Sequence, residues 1–316
     1  DVLPDLSYVY SAAKVLCKVV KENDLVILES TCPIGTTGKL RDYFASHLSP
    51  QLNLHFAYCP ERVLPGDILR ELVENDRIVG GLTPESTAQA SIFYRKFVEG
   101  LVYETTAETA ELCKLAENSY RDVNIAFANE LSIISEKFGI NVWEVINLAN
   151  RHPRVNILSP SCGVGGHCIA VDPWFLIAGN TKEALLIHTA RRVNDAKTEW
   201  SIREIKTKVS EIQTKIARRP KVVCLCLSFK PDVGDLRESP AEKIAFALSS
   251  DGYDLLCVEP NIDSHESLKI VDLKEGLDVA DFVVVLVGHR DFKAHEILDR
   301  VSKRPYIDFS GITESI

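Results

Sequence analysis

The sequence predicts an α/β protein in which two α/β domains are joined by a central helical region. Three observations lead there. Residues 1–106 alternate helical periods with short β-branched runs, residues 107–215 keep a helical period almost throughout, and from 217 apolar strand-like runs return between helices. At 316 residues and 46 % hydrophobic, the chain can build more than one core.

Taken in order, a helix over about 5–21 leads to the strand in NDLVILEST at 23–31, and a helix over 36–47 leads to LHFAYCPE at 54–61. RIVGGL at 77–82 precedes a helix over 84–98, and LVYET follows at 101–105. The run from 107 to 137 is one helical pattern, closed by Gly139. INVWEVINLAN adds a shorter helix, DPWFLIAG follows a glycine-rich loop, and a long helix covers about 181–216. So much helix between two α/β regions suits a linker that also forms a dimer interface. The strand in KVVCLCL, a helix at 240–250, LLCVEP, DFVVVLVG at 281–288 and YIDFS at 306–310 make the second α/β unit. Strand order is not legible at this level.

Composition narrows the function classes. A net charge of −9 leaves no basic footprint for nucleic acid, although a local cluster of cations can still hold an anionic small ligand. No apolar run reaches the roughly 18–20 residues of a membrane span. Nine cysteines, odd in number and scattered through apolar runs, suit the reducing cytoplasm rather than a disulfide framework. The chain starts at Asp1 in mid-pattern and contains no methionine, which reads as a missing N-terminal segment.

The stretch SPSCGVGGHCIAVDPWFL at 159–176 concentrates the chemistry. Glycines 163, 165 and 166 permit positive φ and close backbone approach beside Cys162, His167 and Cys168. Four readings stay open on this window: a metal site, a disulfide, an ordinary turn, or a nucleophilic thiol at Cys168 with Asp172 four residues on. A zinc site lacks further ligands nearby. A nucleophilic thiol needs a positive neighbour or a base. Lys114 and Asn118 share a helix face and suit an oxygen anion, or simply a solvated helix surface. Thr31 and Glu61 each follow a strand, where α/β sites gather. Lys230 and Arg237 flank a Gly-containing loop that suits a phosphate or merely solvent, and Arg151 and Arg154 precede the glycine loop.

Together LESTCPIGTT, YCPERVLPG, AELCKLAENSYRDVNIAFANEL, HPRVNI, GVGGHCIAVDP and SFKPDVGDLRESP, in this order, resemble the UDP-glucose/GDP-mannose dehydrogenase family. NRHPRVNI with GVGGHCIAVDPWF is most similar to the branch that oxidises UDP-N-acetyl-D-mannosamine. The resemblance implies two Rossmann-like α/β domains joined by a central helical dimerisation region. It divides the chain into the remainder of an NAD-binding domain at 1–106, a central helical domain with the Cys loop at 107–216, and a UDP-sugar-binding domain at 217–316. It implies a two-step oxidation of a sugar C6 alcohol to a carboxylate with two NAD+ and one water, on a UDP-activated hexosamine, in a cytoplasmic homodimer or higher oligomer. Related UDP-N-acetylglucosamine or UDP-glucose oxidation is the neighbouring expectation.

By the same resemblance, Cys168 attacks the C6 aldehyde, Lys114 and Asn118 stabilise oxygen anions, and Asp172 positions Lys114 and water. Glu61 assists thioester hydrolysis, Thr31 holds a water near the nicotinamide, and Arg237 approaches the NAD pyrophosphate. Arg154, Lys230, Arg151 and Gly165 bind substrate. The chain departs from the family pattern in three places. No GxGxxG occurs among the 316 residues, so the first domain is expected to be incomplete, and a nucleotide-sugar-binding fragment without turnover is a further alternative. Cys226 stands where a glycine is usual, and its bulk is expected to strain the strand. Cys162 is a bystander or an oxidation partner for Cys168.

Overall fold

The computed structural model describes residues 4–49, 52–63 and 67–315, and the chain divides into two units, 1–119 with 172–184 and 120–171 with 185–316. Residues 1–3 of the expected first domain and 64–66 of YCPERVLPG lie outside the described residues.

In the first unit, α1 (Ser7–Leu16), β1 (Leu25–Leu28), α2 (Thr36–His47), β2 (His55–Tyr58), α3 (Ile68–Glu74), β3 (Arg77–Gly81), α4 (Pro84–Tyr94) and β4 (Val102–Thr106) follow one another. The sheet order is β1-β2-β3-β4, with β2 and β3 antiparallel and the outer pairs parallel. Side chains alternate across it as a pleated sheet requires. Val26, Leu28, Phe56 and Tyr58 pack with Leu40 and Phe44 of α2, while Ala57, Cys59, Val79 and Val102 pack with Ala90 and Tyr94 of α4. The first helix is shorter than its apolar period suggests. After Leu16 the amides of Lys18 and Val19 bond three residues back, and the β-branched Val19 and Val20 lead out of the helix.

The helix α5 (Ala107–Lys137) runs from the first unit into the second. The second unit continues with α6 (Val142–Ala149), while α7 (Asp172–Ile177) belongs to the first. Then come α8 (Leu185–Ile216), β5 (Lys221–Leu225), α9 (Pro240–Ser250), β6 (Asp254–Val258), α10 (Leu273–Val279), β7 (Phe282–Val285), α11 (His295–Ser302) and β8 (Tyr306–Asp308). The second sheet is wholly parallel in the order β6-β5-β7-β8. One face packs Val222, Cys224, Phe282 and Val284 on Ile205 and Val209 of α8 and Ile244 of α9. The other packs Val223, Leu225, Val283 and Val285 on Leu277, Leu298 and Val301. Covered faces on both sides explain the unbroken apolar runs of β5 and β7. Neighbours on opposite sides of β5 make its carboxyl end a topological switch point, where ligands of such sheets bind.

The second unit also buries a cation. Lys197 on α8 is 2 % exposed; its Nζ donates to Ser132 Oγ at 2.8 Å and lies 3.7 Å from the Trp200 ring centroid. Burial pushes its pKa down to about 7. The folded amine is charged below pH 7 and carries the full desolvation cost there. From 7 to 10.5 the unfolded chain holds a proton the folded one has lost, so stability rises with pH across that window. Lys197→Met is expected to stabilise the protein by roughly 2–4 kcal/mol at pH 6 and much less at pH 9.5, read by urea unfolding. An equal gain at both pH values would show that this amine keeps its proton.

Candidate active site

Residues proposed for chemistry occur in both units. In the first, β1 and β2 pair in register with Leu28 opposite Tyr58, and beyond the strands the Cys59 amide still reaches Leu28 O and the Glu61 amide Glu29 O. Glu29 and Glu61 therefore leave the sheet as neighbours at its carboxyl end, with Thr31 two residues beyond Glu29. Glu61 accepts from the amides of Arg62 (2.6 Å) and Val63 (2.9 Å) and from Arg77 Nη1 at 3.2 Å. The carboxylate is thus oriented by the chain itself, with the buried Arg77 behind it.

Lys114 and Asn118 lie one turn apart on α5 and are half-buried. Asn118 Nδ2 donates to Oδ2 of the buried Asp172 at 2.5 Å, which fixes the amide orientation. Lys114 makes no hydrogen bond or ion pair among the described residues. Nearby, Tyr58 is buried with its hydroxyl unpartnered among the described residues, and burial, then the charges of Cys32, Glu111 and Asp172, push its ionisation far up.

Glu111 is a buried site residue that motif reading missed. Its carboxylate accepts from the amides of Gly35 (2.5 Å) and Thr37 (2.8 Å) and from the Thr37 hydroxyl, so α2 is capped from within by α5. Thr83 caps α4 in the same way through the Ser86 amide. A dinucleotide needs a place for its nicotinamide and a donor cradle for its pyrophosphate. In the first unit Thr31 follows β1 at the carboxyl end of the sheet, where such a ring would lie. Among the described residues its α2 and α4 starts are already satisfied and offer no pyrophosphate cradle.

In the second unit the glycine loop packs against the segment after β5. The Gly166 amide donates to Arg237 O at 3.0 Å. A Cβ on Gly165 would fall 2.6 Å from Glu238 O, and Gly166 has φ +82 with the Phe229 ring 2.9 Å from where its Cβ would be. Close packing therefore accounts for these glycines. Cys168, at the loop's end, is exposed, and its carbonyl accepts from Val171 in the turn that follows. The Arg237 guanidinium forks onto Asp235, whose carboxyl it pulls down to about 2, and it lies within electrostatic reach of the Cys168 sulfur. A cation within reach is one of the neighbours that favour a thiolate, although this one is shared with Asp235. Cys162 is a core residue beside Ile202 and Ile205, its pKa pushed to about 12 by burial, which leaves the bystander role.

Lys230 is half-buried on the loop after β5. That loop is anchored by a buried cluster. Glu259, at the end of β6, accepts from the amides of Leu227 (2.9 Å) and Ser228 (3.1 Å), the Ser228 hydroxyl and Cys226 Sγ (3.2 Å). The Asp232 amide donates to His289 Nδ1 at 2.7 Å, which leaves the proton on Nε2, facing Glu259 at 3.0 Å. Cys226, Glu259 and His289 could hold a metal ion by proximity, but their donors and acceptors are already matched to one another. Cys226 takes φ +77, the conformation that favours glycine, and its thiol bond to Glu259 offsets part of that strain. Glu259 follows a strand as Glu61 does, so the same rule could have found it. Arg151 and Arg154 are exposed on a loop closed by two hydrogen bonds between Asn150 and Ile157.

Three domain profiles of one family match this chain: the NAD binding domain over residues 1–98, the central domain over 108–196 and the UDP binding domain over 223–315. The chain belongs to the UDP-glucose/GDP-mannose dehydrogenase family. It is 51 % identical over 306 residues to the UDP-N-acetyl-D-mannosamine dehydrogenase of Campylobacter jejuni, covering 92 % of this chain and 74 % of that protein. It is 47 % identical over 326 residues to the NDP-N-acetyl-D-galactosaminuronic acid dehydrogenase of Ralstonia solanacearum, covering 99 % of this chain and 76 % of the relative. The solved UDP-D-ManNAc dehydrogenase of Pyrococcus horikoshii superposes with a TM-score of 0.86 at 36 % identity, covering 98 % of this chain and 74 % of that one. In family terms the second sheet and its switch point lie in the UDP binding domain, and Thr31 and Glu61 in the NAD binding domain. No helix among the described residues is long and apolar enough to cross a membrane.

Proposed function

We propose that this family member is an NAD-dependent UDP-N-acetyl-D-mannosamine 6-dehydrogenase that oxidises the sugar C6 alcohol to a carboxylate. The observation that carries the reading is Cys168: an exposed thiol at the end of a glycine loop packed against the Arg237 segment. NAD, when bound, supplies the hydride acceptor for both oxidations. The Cys168 sulfur forms a C–S bond to the aldehyde carbon, giving a thiohemiacetal and then a thioester, so that no aldehyde is released. Lys114 and the fixed Asn118 amide stabilise negative charge on the C6 oxygen. Asp172 sets the Asn118 amide, Thr31 holds a water, and Glu61 moves a proton as water cleaves the thioester and returns the thiol. Lys230, Arg151 and Arg154 hold the anionic nucleotide sugar beside Gly165, and Arg237 serves the cofactor pyrophosphate as well as the thiolate.

The 47 % identity to the Ralstonia enzyme favours a second reading, in which another N-acetylhexosamine epimer is the substrate. A homodimer is supported by the second unit's part of α5, where Tyr120, Phe127 and Ile134 recur every seven residues at 70, 55 and 49 % exposure. A cytoplasmic setting is supported by the odd number and scattered, mostly buried placement of the nine cysteines. The test is NADH formation and product mass with NAD+ and each of UDP-N-acetylmannosamine, UDP-N-acetylglucosamine, UDP-N-acetylgalactosamine and UDP-glucose. Two NADH per UDP-N-acetylmannosamine, with a carboxylate product, is the expected result. Turnover confined to another sugar selects the second reading, and binding without turnover selects a nucleotide-sugar-binding module.

A further inference from the structure

Behind the glycine loop the second unit buries a polar network that the chemistry above does not use. Arg191 on α8 is 1 % exposed; its Nη1 donates to Asp122 Oδ1 at 2.6 Å and its Nη2 to Asp195 at 2.7 Å. Asn194, fully buried, donates to the Asp122 carboxylate at 2.8 Å and to its carbonyl at 3.1 Å, and accepts from Asn129 at 2.9 Å. The network reaches the loop at both ends. Asn129 Oδ1 accepts the Ser161 amide at 2.8 Å, where the loop begins, and Arg191 Nη1 makes a longer contact of 3.5 Å with Ile169 O, one residue past Cys168.

Stability alone is a poor reason for this cluster. A buried ion pair rarely outperforms an apolar replacement. Here Asp122 Oδ2 and Arg191 Nε have no partner among the described residues, and burial pushes the Asp122 carboxyl up to about 6 despite the guanidinium beside it. What an apolar replacement could not supply is a set of directional anchors for a loop backbone.

We propose that Arg191, Asn194 and Asp122 are positioning residues that clamp both shoulders of the Cys168 loop and hold the sulfur in register for attack. Arg191 and Asn194 project from one helix, one turn or less apart, and meet Asp122 and Asn129 on α5, so the two helices together set the loop's span. The catalytic consequence rests on the thiol chemistry proposed above; the clamp itself does not.

The experiment compares wild type, Arg191→Lys and Asn194→Ala by hydrogen–deuterium exchange of the 161–171 segment and by steady-state NADH formation. Arg191→Lys keeps the charge but loses the fork. The expected result is exchange at least tenfold faster in that segment, unchanged exchange in α9, and kcat lowered ten- to a hundredfold with KM for the nucleotide sugar within twofold. Unchanged exchange in both variants overturns the clamp, whether or not the protein turns over a nucleotide sugar. Faster exchange with unchanged kcat overturns the positioning role. Faster exchange throughout the chain, with kcat and melting temperature falling together, assigns a purely structural role and overturns it too. A wild type that oxidises none of the UDP-sugars defeats the proposed activity, while the exchange data still decide the clamp.

Discussion

Cys168→Ser is expected to lower carboxylate formation by about 10⁴-fold or more while UDP-sugar affinity stays within twofold. A serine hydroxyl is a far weaker nucleophile at neutral pH than a thiol with a guanidinium nearby, so the covalent steps stall. The buried cysteines are poor substitutes. Cys32, Cys162 and Cys257 are buried with thiols pushed to about 12, and Cys59 is pushed to about 11. Product analysis by mass, with calorimetry of UDP-sugar binding, checks both halves of the expectation. Undiminished carboxylate formation in the variant would remove Cys168 from the reaction.

Lys114→Ala should be the second large effect: kcat lowered about 10²–10³-fold, as for loss of one oxyanion donor, with folding stability changed by no more than about 0.5 kcal/mol. The separation of the two effects comes from the surroundings. Lys114 has no ion pair among the described residues to lose, whereas Asn118 is committed to Asp172 and cannot move to replace it. Denaturant unfolding beside steady-state kinetics makes the comparison. A kcat within threefold of wild type would leave Lys114 an ordinary helix-surface lysine.

Legibility in the sequence followed the range of the forces involved. Helices at Thr36–His47, Ala107–Lys137 and Pro240–Ser250 end where their residues predict, because period, caps and a following glycine or polar break are local signals. Ser239 capping the Glu242 amide ahead of Pro240 is one such signal. Short helices such as α3 and α10, of seven residues each, are too brief to establish a period, and α11 at eight is little better. The antiparallel β2–β3 pairing depends on contacts distant in sequence and leaves no local trace. The same distinction runs through the site. The thiol, the Lys-Asn pair and the strand-end acids stand in recognisable local settings. Glu111, Asp122 and Arg191 look like ordinary helix-surface charges until the elements they face are known, since burial is a property of the packed pair. At Cys226 the structure shows a positive φ rather than the crowding expected from its bulk, and the thiol's partner, Glu259, lies 33 residues away.

The distribution of thiols carries a practical consequence. Of nine cysteines, six are buried, Cys17 and Cys113 are half-covered, and Cys168 is the exposed one. A mild alkylating reagent should therefore mark Cys168 first on a native chain, ahead of the half-covered Cys17 and Cys113. The same geometry concentrates chemical vulnerability: of the nine sulfurs, Cys168 is the one most open to an electrophile or to peroxide.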